Sequence, residues 1–515
     1  MHDQVVRVGA VLVAGAVVFG APAVPARAAA PGDLRGDLDA ILADARLDGA
    51  SVGVVVRDAR TGAVRYSRGA ATPVLPASNL KIYTSSAALS LLGTGYRFRT
   101  SVYAAPAPGT TVGPSVRGDL YLKGTGDPTM RAAEYDRLAA QVAAKGVRRV
   151  EGDLVADDTW FDDVRTPSHW DPADLQYYYA APISALNVAP NDDFDTGSVN
   201  VSIGPGEEGG PVRVGLVPAT DAVEIDNRAV TGRAGTPSTL SIDRAAGSDT
   251  IVVSGSYPVS GSTFSTLRTV GKPTMYAADV FRKALEAHGV RVEGTTERGR
   301  TPARAARIAT RASMPLSELM VPFLKLSNNM IAETLVKAIG RKAGGEGSWD
   351  AGLPVIERYA RSLGVPSDRL EMADGSGLSR LDRTTAGDVS TALRHVRKAR
   401  WFPGWYRALP VAGDPDRMVG GTLTSRMGGT PAAGNVHAKT GTLTGATALS
   451  GYVADASGHR LVFSVILNGY TGGAPKDIED RIAVRLAGGT SSAVPRMRRT
   501  TQTGPQLECS WTKSC

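Results

Sequence analysis

Cysteine is almost absent: Cys509 and Cys515, in the final seven residues, are the only two in a chain of 515. A terminal tail builds no packed pocket around a thiol, so neither serves as a catalytic nucleophile. A short loop-closing disulfide between them suits an oxidising compartment, and pairing with another chain stays open. Histidine is scarce too, at six, and no Gly-x-Ser-x-Gly elbow occurs, which argues against a Ser-His-Asp hydrolase. Beyond the N-terminus no segment approaches the ~20 apolar residues of a membrane helix. The formal charge is +8, but basic side chains are scattered apart from Arg496, Arg498 and Arg499. Without an aromatic-plus-basic array, nucleic acid is not an expected partner.

What is present begins with an export signal. Arg7 precedes an uncharged stretch from Val8 to Gly20, and Ala26-Arg27-Ala28 offers a small-x-small cleavage site, so residues 1–28 read as a signal peptide. An N-terminal anchor is the competing reading, although the stretch is short and interrupted by glycine. The mature chain is expected to be secreted, with no integral membrane segment, and its basic charge suits an anionic surface such as a cell wall. Length predicts two to four domains.

Three textures follow. Asp33–Arg46 carries Leu34, Leu38, Ile41, Leu42 and Ala45 at helical spacing, and Val52–Val56 and Val64–Tyr66 flank turn residues as a β-hairpin. From about 96 to 303, short β-like runs (Val116–Leu122, Val150–Val155, Val199–Ile203, Leu240–Ile242, Thr250–Gly255) alternate with Gly/Pro/Asp turns. Helical patterns appear there at Ala132–Gly146 and Ala277–Gly289. Gly124-Thr125-Gly126-Asp127-Pro128 reads as a turn rather than a phosphate loop, because Asp127 and Pro128 spoil a helix start. Helices return at Pro315–Leu326 and Asn329–Ile339. Strands follow at Val436–Thr440, Ala446–Val453 and Leu461–Leu467, before a closing helix at Gly473–Leu486. The economical architecture is a sheet assembled from both ends of the chain, with helices on it and a long insertion between.

Pro76-Ala77-Ser78-Asn79-Leu80-Lys81 opens an apolar run ending at Gly93. Proline cannot occupy a helix interior, so a helix should start at Ala77 or Ser78 and place Ser78 and Lys81 on one face. A serine hydroxyl becomes nucleophilic when an adjacent amine of lowered pKa takes its proton. Alone the motif is weak, and Ser510-Trp511-Thr512-Lys513 repeats it in the tail. Two further elements accompany it: Ser327-Asn328-Asn329 between two helical stretches, and Lys439-Thr440-Gly441 within a strand.

In this order the three elements resemble the active-site signature of penicillin-interacting serine acyl transferases. The 245 residues between Lys81 and Ser327 resemble the layout of the low-molecular-mass class C penicillin-binding proteins, D-Ala-D-Ala carboxypeptidase/endopeptidases, nearest the actinomycete secreted type. Leu122–Pro128, Val155–Phe161, Asp374-Gly375-Ser376-Gly377-Leu378 and Gly420-Gly421-Thr422-Leu423 are also similar to that family. The resemblance implies an α+β / α/β fold with a transpeptidase-like (serine β-lactamase-like) domain, its antiparallel sheet flanked by helices. That domain would be discontinuous, at 29–95 and 304–490, with one or two nested β-rich domains inserted at 96–303 and a tail at 491–515.

It also implies roles. Ser78 would be the nucleophile and Lys81 its base, with the charge of Lys439 and burial lowering the Lys81 pKa. Ser327 would relay a proton to the leaving amine and Asn329 would hold the substrate amide. The N–H groups of Ser78 and Thr442 would form the oxyanion hole, and Lys439, Thr440 and Thr442 would bind the terminal carboxylate beside Gly441. No cofactor or metal is required, and His437 receives no catalytic role. The expected partners are peptidoglycan stem peptides and β-lactam antibiotics. For a diaminopimelate side chain, Arg380 with Thr444 would take the carboxylate and Asp171 the amine, with Tyr177 and Trp170 walling the pocket. The alternatives are a β-lactamase and a catalytically silent cell-wall-binding protein.

Overall fold

The computed structural model describes residues 33–104, 114–245, 247–366 and 368–489. The signal-peptide stretch and the Cys509 and Cys515 tail lie outside the described residues. Among the described residues no helix is long and apolar enough to cross a membrane.

A five-stranded antiparallel sheet joins the two ends of the chain. Its order is His437–Leu443, Ala446–Ala454, Arg460–Asn468, Ser51–Asp58 and Val64–Arg68, so the N-terminal hairpin does pair with the C-terminal meander. Side chains alternate across a strand, and Arg460–Asn468 divides accordingly. Val462 and Ile466 enter one core; Leu461, Phe463, Val465 and Leu467 enter the other. The second core is covered by Leu34–Ile41 and the closing helix Lys476–Leu486. The first holds Lys81–Leu91, Leu316–Lys325, Asn329–Gly344 and Ala386–Val396. Lys81–Leu89 is buried at every position, as a helix enclosed on all sides must be.

Two local expectations change. The first helix stops at Ile41 rather than Arg46, because the Asp44 carboxylate accepts from the Arg46 N–H (3.1 Å) and starts a separate 3-10 turn at Ala45–Leu47. The runs Val116–Leu122 and Val150–Val155 each divide, into Ser115–Val116 with Leu120–Gly124 and Arg149–Val150 with Leu154–Asp157, feeding two different sheets. Gly124 ends a strand and Thr125–Pro128 form no helix start, with Asp127 accepting from the Thr129 N–H at 2.9 Å.

The insertion builds its own five-stranded sheet, in the order Thr296–Arg298, Leu154–Asp157, Leu120–Gly124, Arg99–Ala104, Ala306–Ala312. Its sheet thus runs past the texture change at 303. Ser198–Gly204 lies between Arg213–Val217 and Phe264–Thr269 in a separate antiparallel sheet of an inner β unit.

Candidate active site

Ser78 lies in a 3-10 turn, Ala77–Leu80, that leads into the buried helix. Ala77 has φ +46°, a left-handed conformation that costs a non-glycine residue about 1–3 kcal/mol and persists only where the surroundings impose it. Gly377 (φ +84°) imposes it from outside, lying so close that a Cβ would collide with the Ala77 carbonyl. The turn is also tied to the Lys439 strand. Asn79 Nδ2 donates to the Lys439 carbonyl at 3.2 Å, and a Cβ on Gly441 would sit 3.1 Å from the Ser78 nitrogen. The half-buried Ser78 hydroxyl accepts from Lys81 Nζ at 2.8 Å. Lys81 is wholly buried and donates besides to Asn329 Oδ1 (2.7 Å) and the Ser376 carbonyl (2.7 Å).

Ser327 sits between two helices with φ +54°. Asn328, not Asn329, caps the following helix, its Oδ1 accepting from the Ile331 N–H at 3.0 Å. That leaves the Asn329 side chain for the site: its Oδ1 meets Lys81 and its Nδ2 donates to the Tyr179 carbonyl at 2.9 Å. Lys439, wholly buried, donates to Ser327 Oγ at 2.8 Å and to the Thr440 carbonyl at 2.7 Å. The five residues expected to converge therefore form two hydrogen-bonded groups, each around a buried lysine: Ser78–Lys81–Asn329 and Ser327–Lys439.

Residues outside the expected set complete it. Ser376 supplies only a carbonyl, yet its loop is held on all sides. The Gly375 N–H donates to Glu333, Thr84 donates to the Gly375 carbonyl at 2.6 Å, and Asp374 accepts from the N–H groups of Ser376 and Gly377. Glu333, Asp374 and Asp382 are all fully buried there. Burial and the Asp374 charge push the Glu333 and Asp382 carboxyls above the usual range. Thr440 Oγ1 donates to Thr422 at 2.7 Å, and buried Lys325 staples the Thr422 segment through the Leu409 and Val419 carbonyls. The similarity of Gly420–Leu423 to the family was the available signal for Thr422; nothing in the sequence singles out a carbonyl such as that of Ser376.

The rim differs from this floor. Arg380 is exposed and both its terminal nitrogens donate to the Thr444 carbonyl at 3.2 Å. Asp171 is exposed and accepts from the Ala173 N–H at 2.9 Å. Tyr177 is half-buried and stacks on Tyr179 at 5.6 Å. Trp170 does not wall a pocket: it is 3% exposed, and its indole N–H donates to Asp374 at 2.9 Å. Asp174, not foreseen, lies within electrostatic reach of Asp171 and Arg380. Burial raises its carboxyl pKa, opposed by the Tyr179 hydroxyl at 3.0 Å. His437 stacks on Tyr406 at 4.1 Å, and burial lowers its pKa to about 4.

Comparison with known proteins places this geometry. The chain is 48% identical over 493 residues to the D-alanyl-D-alanine carboxypeptidase of Actinomadura sp. (strain R39), covering 94% of this chain and 90% of that protein. It is 25% identical over 449 residues to D-alanyl-D-alanine carboxypeptidase DacB of Haemophilus influenzae, covering 84% and 88%. The fold matches the crystal structure of penicillin binding protein 4 from Haemophilus influenzae with a TM-score of 0.75 at 23% identity, over 87% of this chain and 98% of that one. Residues 34–488 match the D-Ala-D-Ala carboxypeptidase 3 (S13) family as a whole. A match from the first helix to the last, over a site where Ser78 and Asn329 bond to Lys81 and Ser327 bonds to Lys439, places the chain in the D-Ala-D-Ala carboxypeptidase 3 (S13) family.

Proposed function

We propose that this chain is a serine D-Ala-D-Ala carboxypeptidase that cleaves peptidoglycan stem peptides through an acyl-enzyme on Ser78. The observation that carries the reading is Lys81 Nζ, wholly buried and 2.8 Å from Ser78 Oγ. A neutral amine there has two N–H groups, one for Asn329 Oδ1 and one for the Ser376 carbonyl, and turns its lone pair to the Ser78 hydroxyl.

Ser78 gives its proton to Lys81 and attacks the carbonyl carbon of the penultimate D-alanine. The electron pair moves onto the carbonyl oxygen, which faces the N–H groups of Ser78 and Thr442. Collapse breaks the C–N bond; the departing amine takes, by way of Ser327, the proton that Lys81 accepted, and the Ser327 hydroxyl is oriented by its bond to Lys439. Water then hydrolyses the ester and restores Ser78. Lys439, Thr440 and Thr442 receive the terminal carboxylate, and the second N–H of Asn329 Nδ2 is available to the substrate amide. Arg380 with Thr444 takes a side-chain carboxylate, while Asp171, joined by Asp174, takes its amine beside Tyr177. The same machinery accepts a peptide crosslink, which is endopeptidase action, and a β-lactam, which mimics the D-Ala-D-Ala end. The N-terminal export pattern supports action outside the cytoplasm, at the cell wall.

Mass spectrometry of penicillin-labelled protein tests this reading. A persistent adduct on the Ser78 peptide is expected. Rapid regeneration of free Ser78 would assign a β-lactamase, and failure to label would leave a silent wall-binding protein.

A further inference from the structure

The inner β unit contributes nothing to the chemistry above, yet three of its side chains grip the loop that carries Tyr177. That loop consists of two single 3-10 turns, Asp174–Gln176 and Tyr178–Ala180, with Tyr177 extended between them. Turns this short have little rigidity of their own, so the position of Tyr177 must be set from outside. The Leu175 carbonyl accepts from both Arg244 (2.8 Å) and Thr269 Oγ1 (2.6 Å), which uses both its lone pairs. Arg244 Nε also donates to Thr269 Oγ1 at 3.0 Å, so the hydroxyl proton is directed to Leu175. The Arg268 guanidinium lies over the Tyr177 ring, 5.5 Å from its centroid, and is fixed there by the carbonyls of Ile242 and Leu267, each at 2.7 Å.

Arg244 and Arg268 are 5% and 8% exposed, and all these acceptors are neutral. Burial pulls both guanidinium groups below their usual pKa. Apolar side chains of similar volume would pack this junction at lower cost, so stability alone does not account for two arginines here. What the arginines supply is direction: a planar fork for one carbonyl and a flat cation for one ring. On its far side the loop is tied to the catalytic group, since the Tyr179 carbonyl accepts from Asn329.

We propose that Arg244, Arg268 and Thr269 are positioning residues through which the inner β unit sets selectivity for the side chain of the stem peptide. This rests on the pocket of Arg380, Asp171 and Tyr177 proposed above. The loop is held so that Tyr177 and the Asp171–Asp174 carboxylates face Arg380 at a fixed separation, and a side chain ending in both an amine and a carboxylate spans it.

The test compares two D-Ala-D-Ala peptides, one with a diaminopimelate side chain and one with alanine in its place. The wild type should prefer the first. In Arg268→Met the ratio of the two kcat/KM values should fall about tenfold, through a raised KM for the first peptide. Turnover of the alanine peptide and penicillin labelling should stay within about twofold, and Arg268→Lys should restore part of the ratio. Thr269→Val, nearly isosteric, should shift the ratio the same way, and serves if Arg268→Met does not fold. An unchanged ratio in a folded variant, with wild-type preference intact, overturns the clamp alone. A wild type with no preference overturns the pocket itself and the clamp with it.

Discussion

Lys81 and Arg380 are both basic side chains of the proposed site, but they are held in opposite ways. Lys81 is wholly buried and hydrogen-bonded to three oxygens at 2.7–2.8 Å, whereas Arg380 is exposed and rests on the Thr444 carbonyl at 3.2 Å. The floor of the site belongs to helices and a sheet edge locked by buried polar bonds; the rim belongs to loops. Groups that move protons must be placed within tenths of an ångström, and only a packed interior fixes them so closely. Groups that choose among side chains work through solvent-weakened charge pairs, and loops suffice for that.

The contrast fails if floor and rim substitutions act alike. Lys81→Ala should lower kcat/KM for D-Ala release at least a thousandfold on every substrate, because the base and a fixed partner of Ser78 are lost together. Residual turnover within tenfold of wild type would show that another group takes the proton. Gly377→Ala comes next, with a loss of about 3 kcal/mol in stability and slower labelling of Ser78, since the added Cβ collides with Ala77. Urea unfolding and adduct formation measure the two, and an unperturbed variant would mean that the Ala77 turn is not held from Gly377.

At the rim, Arg380→Ala should cost about tenfold on the diaminopimelate peptide and almost nothing on a plain D-Ala-D-Ala peptide. Equal losses on both would move Arg380 into the catalytic group. The smallest effect concerns His437, beside the floor but outside the chemistry. Its pKa is about 4 in the folded chain against an ordinary 6.5, so the unfolded chain binds more protons between those values. Stability is therefore lost as pH falls from 6.5 towards 4. His437→Gln should remove on the order of 1 kcal/mol of the loss between pH 7 and 5. Unchanged pH dependence would place the proton uptake elsewhere.

The local signals were legible wherever one stretch of chain fixed the outcome. Pro76 with its apolar run marked a helical segment, but Ala77–Leu80 form a 3-10 turn and the α-helix starts at Lys81 rather than at Ala77 or Ser78; Ser327–Asn329 marked a break between helices. The division of labour between Asn328 and Asn329 was not legible, because both are equally good caps and only packing chose Asn328. Trp170 read as a pocket wall because an aromatic beside a candidate ligand suits either face; the buried Asp374 carboxylate drew it inward.

By itself, the sequence determined that Ser78 and Lys81, the proposed nucleophile and base, come together, because a spacing of three within one helical turn puts both on one face. It also pointed to the joining of the chain's two ends in one sheet. Only the tertiary structure decided that the Ser376 carbonyl joins Asn329 in holding Lys81, and that Arg244, Arg268 and Thr269 of the insertion grip the Tyr177 loop. Backbone groups are the same in every residue and long-range contacts leave no local pattern, so both depended on where the folded chain brought them.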